Sequence, residues 1–242
     1  MTMPLGRGEL GHTGGGDVMG IEAQRQSEIW SASLGGGRTR ANRPIMRAGV
    51  MRDADVRAAV LRALAEQHQG DDDTRIVEEM GIWSGSVRID VAVINGRLTG
   101  YELKSDRDTL ERLPAQAELY SRVFDEVSLV VGASHASKAL GIIPAWWGVI
   151  VATERSGEVQ LEKVRDPQRN PAPDPLLIAR LLWRSEALAV LEARGLARGW
   201  RSKSAPQLHE RLATVLSEAE ISDAVRTALK QREGWLGQAV GH

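Results

Sequence analysis

Asp90, Glu102 and Lys104 have the residue types and the spacing for chemistry with a divalent cation. They lie between Arg88 and Ser105, a run that reads as two apolar strands joined at Asn95-Gly96. Val87, Ile89, Val91 and Val93 alternate with Arg88, Asp90, Ala92 and Ile94. In the second strand Leu98, Gly100, Glu102 and Lys104 share a face, opposite Thr99, Tyr101 and Leu103. Two carboxylates and an ammonium on one sheet face suit a hard cation carrying an activated water.

The turn decides whether they meet. A two-residue Asn95-Gly96 loop pairs Ile94 with Arg97 and points Asp90 away from Glu102. A three-residue loop, Ile94-Asn95-Gly96 with Gly96 left-handed in a bulge, pairs Val93 with Arg97. Asp90 then faces Gly100 and lies diagonally beside Glu102. A cation site requires the second arrangement.

The surrounding elements must hold this hairpin. Periodicity predicts a helix over 54–67, with Val56, Val60, Leu61 and Leu64 on one face and Asp53 as its cap. A strand follows at about 74–80, then the hairpin strands 87–94 and 98–104. A helix runs from Pro114 through Phe124, with Leu113, Gln116, Ala117, Tyr120 and Phe124 on one stripe, and 127–132 is a buried strand. Gln116 and Tyr120 are polar groups on that apolar stripe, placed to line the same cleft as the carboxylates.

With these residues in place, 53–152 resembles the restriction-endonuclease-like PD-(D/E)XK nuclease superfamily. Within it, the chain looks like a bacterial and phage group with the run Gly-Tyr-Glu-Leu-Lys-Ser-Asp-Arg-Asp-Thr-Leu-x-Arg-Leu-Pro-x-Gln-x-x-x-Tyr, here Gly100 to Tyr120. It is also similar to the RecB-type branch, whose Arg-x-Asp, Glu-x-Lys and Gln-x-x-x-Tyr stand as Arg88/Asp90, Glu102/Lys104 and Gln116/Tyr120. Ile89 occupies the position that the superfamily's name gives to Pro. The resemblance implies an αβββαβ core, a mixed sheet flanked by helices, spanning residues 51–166. It implies an Mg²⁺-dependent enzyme, with Mn²⁺ substituting, that hydrolyses phosphodiester bonds in DNA. Asp90 and Glu102 would hold the metal, with an upstream acid chosen from Glu66, Glu78 and Glu79, of which Glu79 is preferred. Lys104 would position or activate water, supported by Arg88, Ser105, Gln116 and Tyr120. A homodimer would let such an enzyme cut both strands, and a phage or defence protein is the expected partner. The alternative is a non-cleaving nucleic-acid-binding or adaptor protein that keeps the nuclease fold.

Rival chemistries lack their residues. The chain has no Cys, which excludes thiolate metal sites, disulfides and cysteine nucleophiles. The His residues at 12, 68, 135, 209 and 242 have no metal-ligand spacing. Neither a phosphate-binding Gly-x-x-x-x-Gly-Lys-Ser/Thr loop nor a Gly-x-Ser-x-Gly elbow is present. No apolar run approaches a membrane span and no signal-peptide core is visible, so the expected location is the cytoplasm.

Charge and composition divide the chain. The formal net charge is −1. Residues 51–166 carry 14 basic against 20 acidic residues, whereas from 176 onward there are 10 against 7. Eleven of the 25 glycines fall in 1–50, read as a disordered segment or as sequence upstream of the natural start, with Met46 and Met51 as alternative starts. Ala145–Ala152 and Val159–Val164 read as strands turned at Gly157, with Trp146 and Trp147 better suited to packing than to base stacking. Residues 167–175 contain four prolines and read as a linker. The remainder, 176–242, is helical and a candidate nucleic-acid binder. One helix runs from Pro175 through Leu191, followed by helix, basic turn and helix. Arg198, Arg201 and Lys203 in that turn would contact phosphates, with Trp200 anchoring the loop.

Overall fold

Strand and helix signals alternate along the first two-thirds of the described chain, and the fold follows that alternation. The computed structural model describes residues 51–83 and 87–233; the glycine-rich segment 1–50 lies outside them. The order is α1 (Asp53–Gln67), β1 (Arg75–Ile82), β2 (Val87–Ile94), β3 (Leu98–Lys104), α2 (Leu113–Tyr120), β4 (Glu126–Gly132), α3 (Ala136–Leu140), β5 (Gly148–Arg155) and β6 (Glu158–Arg165). Four helices complete it: α4 (Pro175–Ala179), α5 (Arg184–Ala193), α6 (Ala205–Val215) and α7 (Glu218–Gln231). The six strands form one sheet in sequence order. β3, β4 and β5 run parallel, while β1–β2, β2–β3 and β5–β6 are antiparallel pairs. The protein is thus a mixed α/β structure with helices on both sheet faces.

The hairpin loop differs from both expected forms. Ile94 pairs with Leu98, so the loop is Asn95-Gly96-Arg97, and Gly96 is not in the left-handed region. Asn95 shapes the turn instead: its side-chain oxygen accepts the Arg97 amide at 3.0 Å, an Asx turn that needs no positive φ. The paired register ends at Val91–Tyr101, and just beyond it Asp90 and Glu102 both line one cleft. The two carboxylates share the neighbourhood that the bulged hairpin was to provide, by a different register.

Each sheet face buries its own core. On one side α1 lays Val56, Ala59, Val60 and Leu64 against Val91, Val93, Tyr101, Leu103, Val130 and Ile150. On the other, α2 and the C-terminal helices cover Ala92, Ile94, Leu98, Leu129 and Val131. Ile89 packs in this second core, although strict alternation places it with Val91 and Val93. The period-two pattern therefore slips at Asp90. Its neighbour in β1, Glu79, has a left-handed backbone (φ 49°), which turns that strand at the same level.

Three element ends also depart from expectation. Arg52 rather than Asp53 is the N-cap of α1, and the Asp53 side chain turns instead to Arg57. β5 starts at Gly148, because Pro144–Trp147 forms a turn closed by the Trp147 amide on the Pro144 carbonyl at 3.1 Å. The helix expected from Pro175 through Leu191 is broken between α4 and α5. Glu186 caps the new start by accepting the Trp183 amide at 2.6 Å. The carbonyls freed by the break are satisfied from far downstream, Leu181 by Arg232 at 2.9 Å and Leu182 by His209 at 3.0 Å.

The proline-rich stretch is tied to the sheet layer. Asn170 is 7 % exposed, and its side-chain amide donates to the Ser121 and Phe124 carbonyls at 2.7 and 2.9 Å. Asp174 caps α4 by accepting the Leu176 and Leu177 amides, and also binds Arg122 at 2.8 Å. Leu177, Ile178, Leu208, Ile221 and Val225 then join the α2-side core. Asn170→Ala should lower stability by about 2 kcal/mol by stranding buried carbonyls. Urea titration followed by circular dichroism checks this, and a single transition is expected because sheet and C-terminal helices share one core.

Candidate active site

The cleft opens where β2 and β3 part. Beyond Val91–Tyr101 the backbone ladder stops, and the Leu103 amide donates to Asp90 Oδ2 at 2.8 Å. Asp90 thus replaces a missing backbone acceptor, which fixes its rotamer and wedges the strands apart. Around this point lies a cleft of about 1050 Å³, walled by α1, the ends of β2 and β3, and α2.

Glu102 sits at its floor, 1 % exposed, and Lys104 beside it is 5 % exposed. The Lys104 ammonium donates to Glu102 Oε1, which also accepts Gln116 Nε2 at 2.6 Å. Glu102 Oε2 lies 3.0 Å from the Tyr120 hydroxyl, which donates to the Arg88 carbonyl at 2.6 Å. Gln116 and Tyr120 are one helical turn apart on α2, so both reach the same carboxylate. Burial, then the nearby Asp90 carboxylate, pushes the Glu102 carboxyl up to about 7, against the pull of Lys104 and Tyr120. Burial also raises the Asp90 pKa, despite the Leu103 amide, Arg57 and Lys104. The Tyr120 hydroxyl is raised by burial and by Glu102.

On the opposite wall Arg57 projects from α1. Its Nη1 donates to the Asp90 carbonyl at 3.0 Å. Its Nη2 lies 3.0 Å from Asp90 Oδ1, 2.8 Å from Glu79 Oε1 and 3.4 Å from Asp53 Oδ2. Burial alone would lower the Arg57 pKa, but Asp90, Asp53 and Glu79 together outweigh it and raise it. Nothing in the local sequence marks Arg57. Its position 33 residues before Asp90 becomes meaningful only when α1 packs on the sheet.

The other expected residues fall into three groups. Glu79 lines the cleft, whereas Glu66 and Glu78 do not. Arg88 lines it as well, and its carbonyl orients Tyr120. Ser105 is buried, and its amide and hydroxyl both donate to Asp108 Oδ2 at 2.7 Å, so it shapes the loop before α2. Arg198, Arg201 and Lys203 do not line the cleft. Arg201 pairs with Glu192 at 2.8 Å, and the Arg201 and Lys203 carbonyls accept from Arg184. Trp200 lies under the Arg211 guanidinium, 5.3 Å from ring centroid to Cζ. Trp147 is fully buried against Tyr120, with ring centroids 6.2 Å apart.

The donor set suits a hard cation in chemistry: two carboxylates line one cleft, and the Gln116 side-chain oxygen that lines it with them is buried without a partner. Among the described residues no group of three acidic or histidine side chains is arranged to hold a metal ion as it stands: Asp53, Glu79 and Asp90 are gathered around the Arg57 guanidinium instead.

The family model for bacteriophage P4 protein cII matches residues 46–235. The chain belongs to this family. Protein cII of Enterobacteria phage P4 is 26 % identical over 189 residues, covering 76 % of this chain and 69 % of the phage protein. A solved structure from Silicibacter pomeroyi, of a protein of unknown function, covers 66 % of this chain and 98 % of its own at 20 % identity and a TM-score of 0.36. The family match spans the hairpin, the cleft and the C-terminal helices, so all of them belong to one family unit.

Glu102 gives a pH dependence of known sign. Its proton is held more tightly in the folded chain than at the ordinary 4.5, so the associated stability is complete below pH 4.5 and is lost as pH rises to about 7. Glu102→Gln should remove this loss. In EDTA the melting temperature of the wild type should fall between pH 5 and 8 more than that of the variant; parallel profiles would contradict the burial argument.

Proposed function

We propose that the protein is a metal-dependent nuclease of the restriction-endonuclease-like type, acting on DNA. The observation that carries this reading is the meeting of Asp90, Glu102, Lys104 and Gln116 in one open cleft; Tyr120, expected to line it too, is instead fully buried behind Glu102, with its hydroxyl 3.0 Å from Oε2. The order α1-β1-β2-β3-α2-β4, with an antiparallel hairpin followed by a parallel strand, agrees with the αβββαβ core that such enzymes use.

Asp90 and Glu102 would hold Mg²⁺, or Mn²⁺ in its place, with Glu79 as the nearest further acid. The bound ion would supply a water of lowered pKa and offset charge growing on the scissile phosphate. The chain's own contribution is positional. Leu103 fixes Asp90; Gln116 and Tyr120 fix Glu102; Lys104 is held at the cleft floor, where its ammonium can orient a water or stabilise a phosphate oxygen. Arg88, Arg112 and Arg122 line the outer part of the cleft and provide cationic contacts for a polyanion.

A second reading, a DNA-binding or adaptor protein that does not cut, is favoured by one observation. Both Asp90 oxygens and Glu102 Oε1 already accept hydrogen bonds within the protein, and Glu102 Oε2 lies against the Tyr120 hydroxyl. Cleavage separates the two. With labelled single-stranded, duplex and branched DNA in Mg²⁺ or Mn²⁺, the wild type should cut, and Asp90→Ala should fall to the EDTA background while remaining folded. Lys104→Ala should slow cutting by about a hundredfold with a smaller change in metal affinity. Binding without cutting by the folded wild type would support the adaptor reading instead. Neutralising Arg198, Arg201 and Lys203 together should flatten the salt dependence of DNA binding, measured by filter retention; an unchanged slope would leave that turn structural.

A further inference from the structure

The least expected group in the cleft is the Arg57 guanidinium. Three carboxylates converge on Nη2, which has two hydrogens to offer: Glu79 at 2.8 Å, Asp90 at 3.0 Å and Asp53 at 3.4 Å. More acceptors than donors at one nitrogen marks a place where negative charge has been gathered beyond the needs of hydrogen bonding. One of the three comes from a residue with a left-handed backbone, Glu79 at φ 49°. Such a conformation is costly for a non-glycine residue and persists where surrounding structure imposes it.

Asp90 has two oxygens with different roles. Oδ2 accepts the Leu103 amide and completes the strand ladder. Oδ1 faces Arg57 across the cleft. Oδ1, the atom that Arg57 holds, is thus the Asp90 oxygen that a cation can take over without touching the ladder. Arg57 lies in the second turn of α1, lines the cleft and keeps 18 % of its side chain exposed, so a change of rotamer releases it without moving the helix.

We infer that Arg57 is a positioning residue that stands in for the divalent cation: it holds Glu79 and Asp90 together when the cation is absent and competes with it for Asp90 Oδ1. This rests on the reading of Asp90 as a cation ligand. Without Arg57 the three carboxylates repel one another in a partly buried site. The cation-free protein then loses stability, and the incoming ion gains an uncontested ligand. A residue that only braced Asp90 for the metal would act in the opposite direction, because its removal would weaken binding.

The test is Mn²⁺ binding by isothermal titration calorimetry on the full chain, comparing wild type, Arg57→Gln, Arg57→Lys and Asp90→Asn, with melting temperatures in EDTA and in Mn²⁺. Arg57→Gln should bind Mn²⁺ about tenfold more tightly than wild type, the loss of one partly exposed ionic competitor. It should melt lower in EDTA and gain more from Mn²⁺. Arg57→Lys, which keeps the charge but loses the fork, should fall between the two. Equal or weaker binding by Arg57→Gln, while wild type binds and Asp90→Asn does not, overturns the stand-in role and leaves the cation reading intact. If Arg57→Gln does not fold, Arg57→Lys binding no more tightly than wild type overturns it. Absence of Mn²⁺ binding by wild type and every folded variant overturns both.

Discussion

Glu102 is a carboxyl group held almost wholly out of water, with an ammonium on one oxygen and a tyrosine hydroxyl near the other. Removing both charges of such a pair from water costs several kcal/mol per ion, which mutual attraction recovers only when the remaining hydrogen-bonding positions are filled. Much of the architecture nearby answers that requirement. α2 must bring Gln116 and Tyr120 over β3, Arg88 must offer its carbonyl to the same hydroxyl, and the loop at Ser105–Asp108 must turn the chain from Lys104 into α2. A Glu-x-Lys pair on an exposed hairpin would need none of this. Burial of the pair therefore commits α2, Arg88 and the Ser105–Asp108 loop to fixed positions around it.

Asp90 solves a different problem. A strand ladder that ends early leaves an amide without an acceptor, and the Asp90 carboxylate takes its place. That one contact makes the cleft and orients its first acid. The slip in alternation at Ile89 and the left-handed Glu79 belong to the same event, because two neighbouring strands must turn together to keep their pairing.

Local rules carry far in this sequence. Period-two and helical patterns locate α1, the first four strands and α2 to within a few residues, and the pairing of Gln116 with Tyr120 follows from their four-residue spacing. What they miss depends on contacts distant in sequence or on competition between equivalent local choices. Asn95 and Gly96 both favour turns, and the Asx turn of Asn95 prevailed over a left-handed Gly96. The break after α4 uses Arg232 and His209, which no window around Pro175–Leu191 contains. Arg57 looks like any charged residue on an amphipathic helix until α1 is laid on the sheet. Among the acids, Glu79 was separable from Glu66 and Glu78 only by the turn in β1.

Tyr120 belongs to two worlds. Its ring is fully buried between Phe124 and Trp147, while its hydroxyl touches Glu102. The α2 wall of the cleft is therefore backed by a buried aromatic cluster, which limits its freedom to move. The α1 wall is different: Arg57 meets its partners through long, partly exposed side chains. Adaptation to a new ligand has one adjustable boundary, and evolution within this fold would be expected to write its variation on α1 and leave α2 as the fixed ruler against which shape is measured.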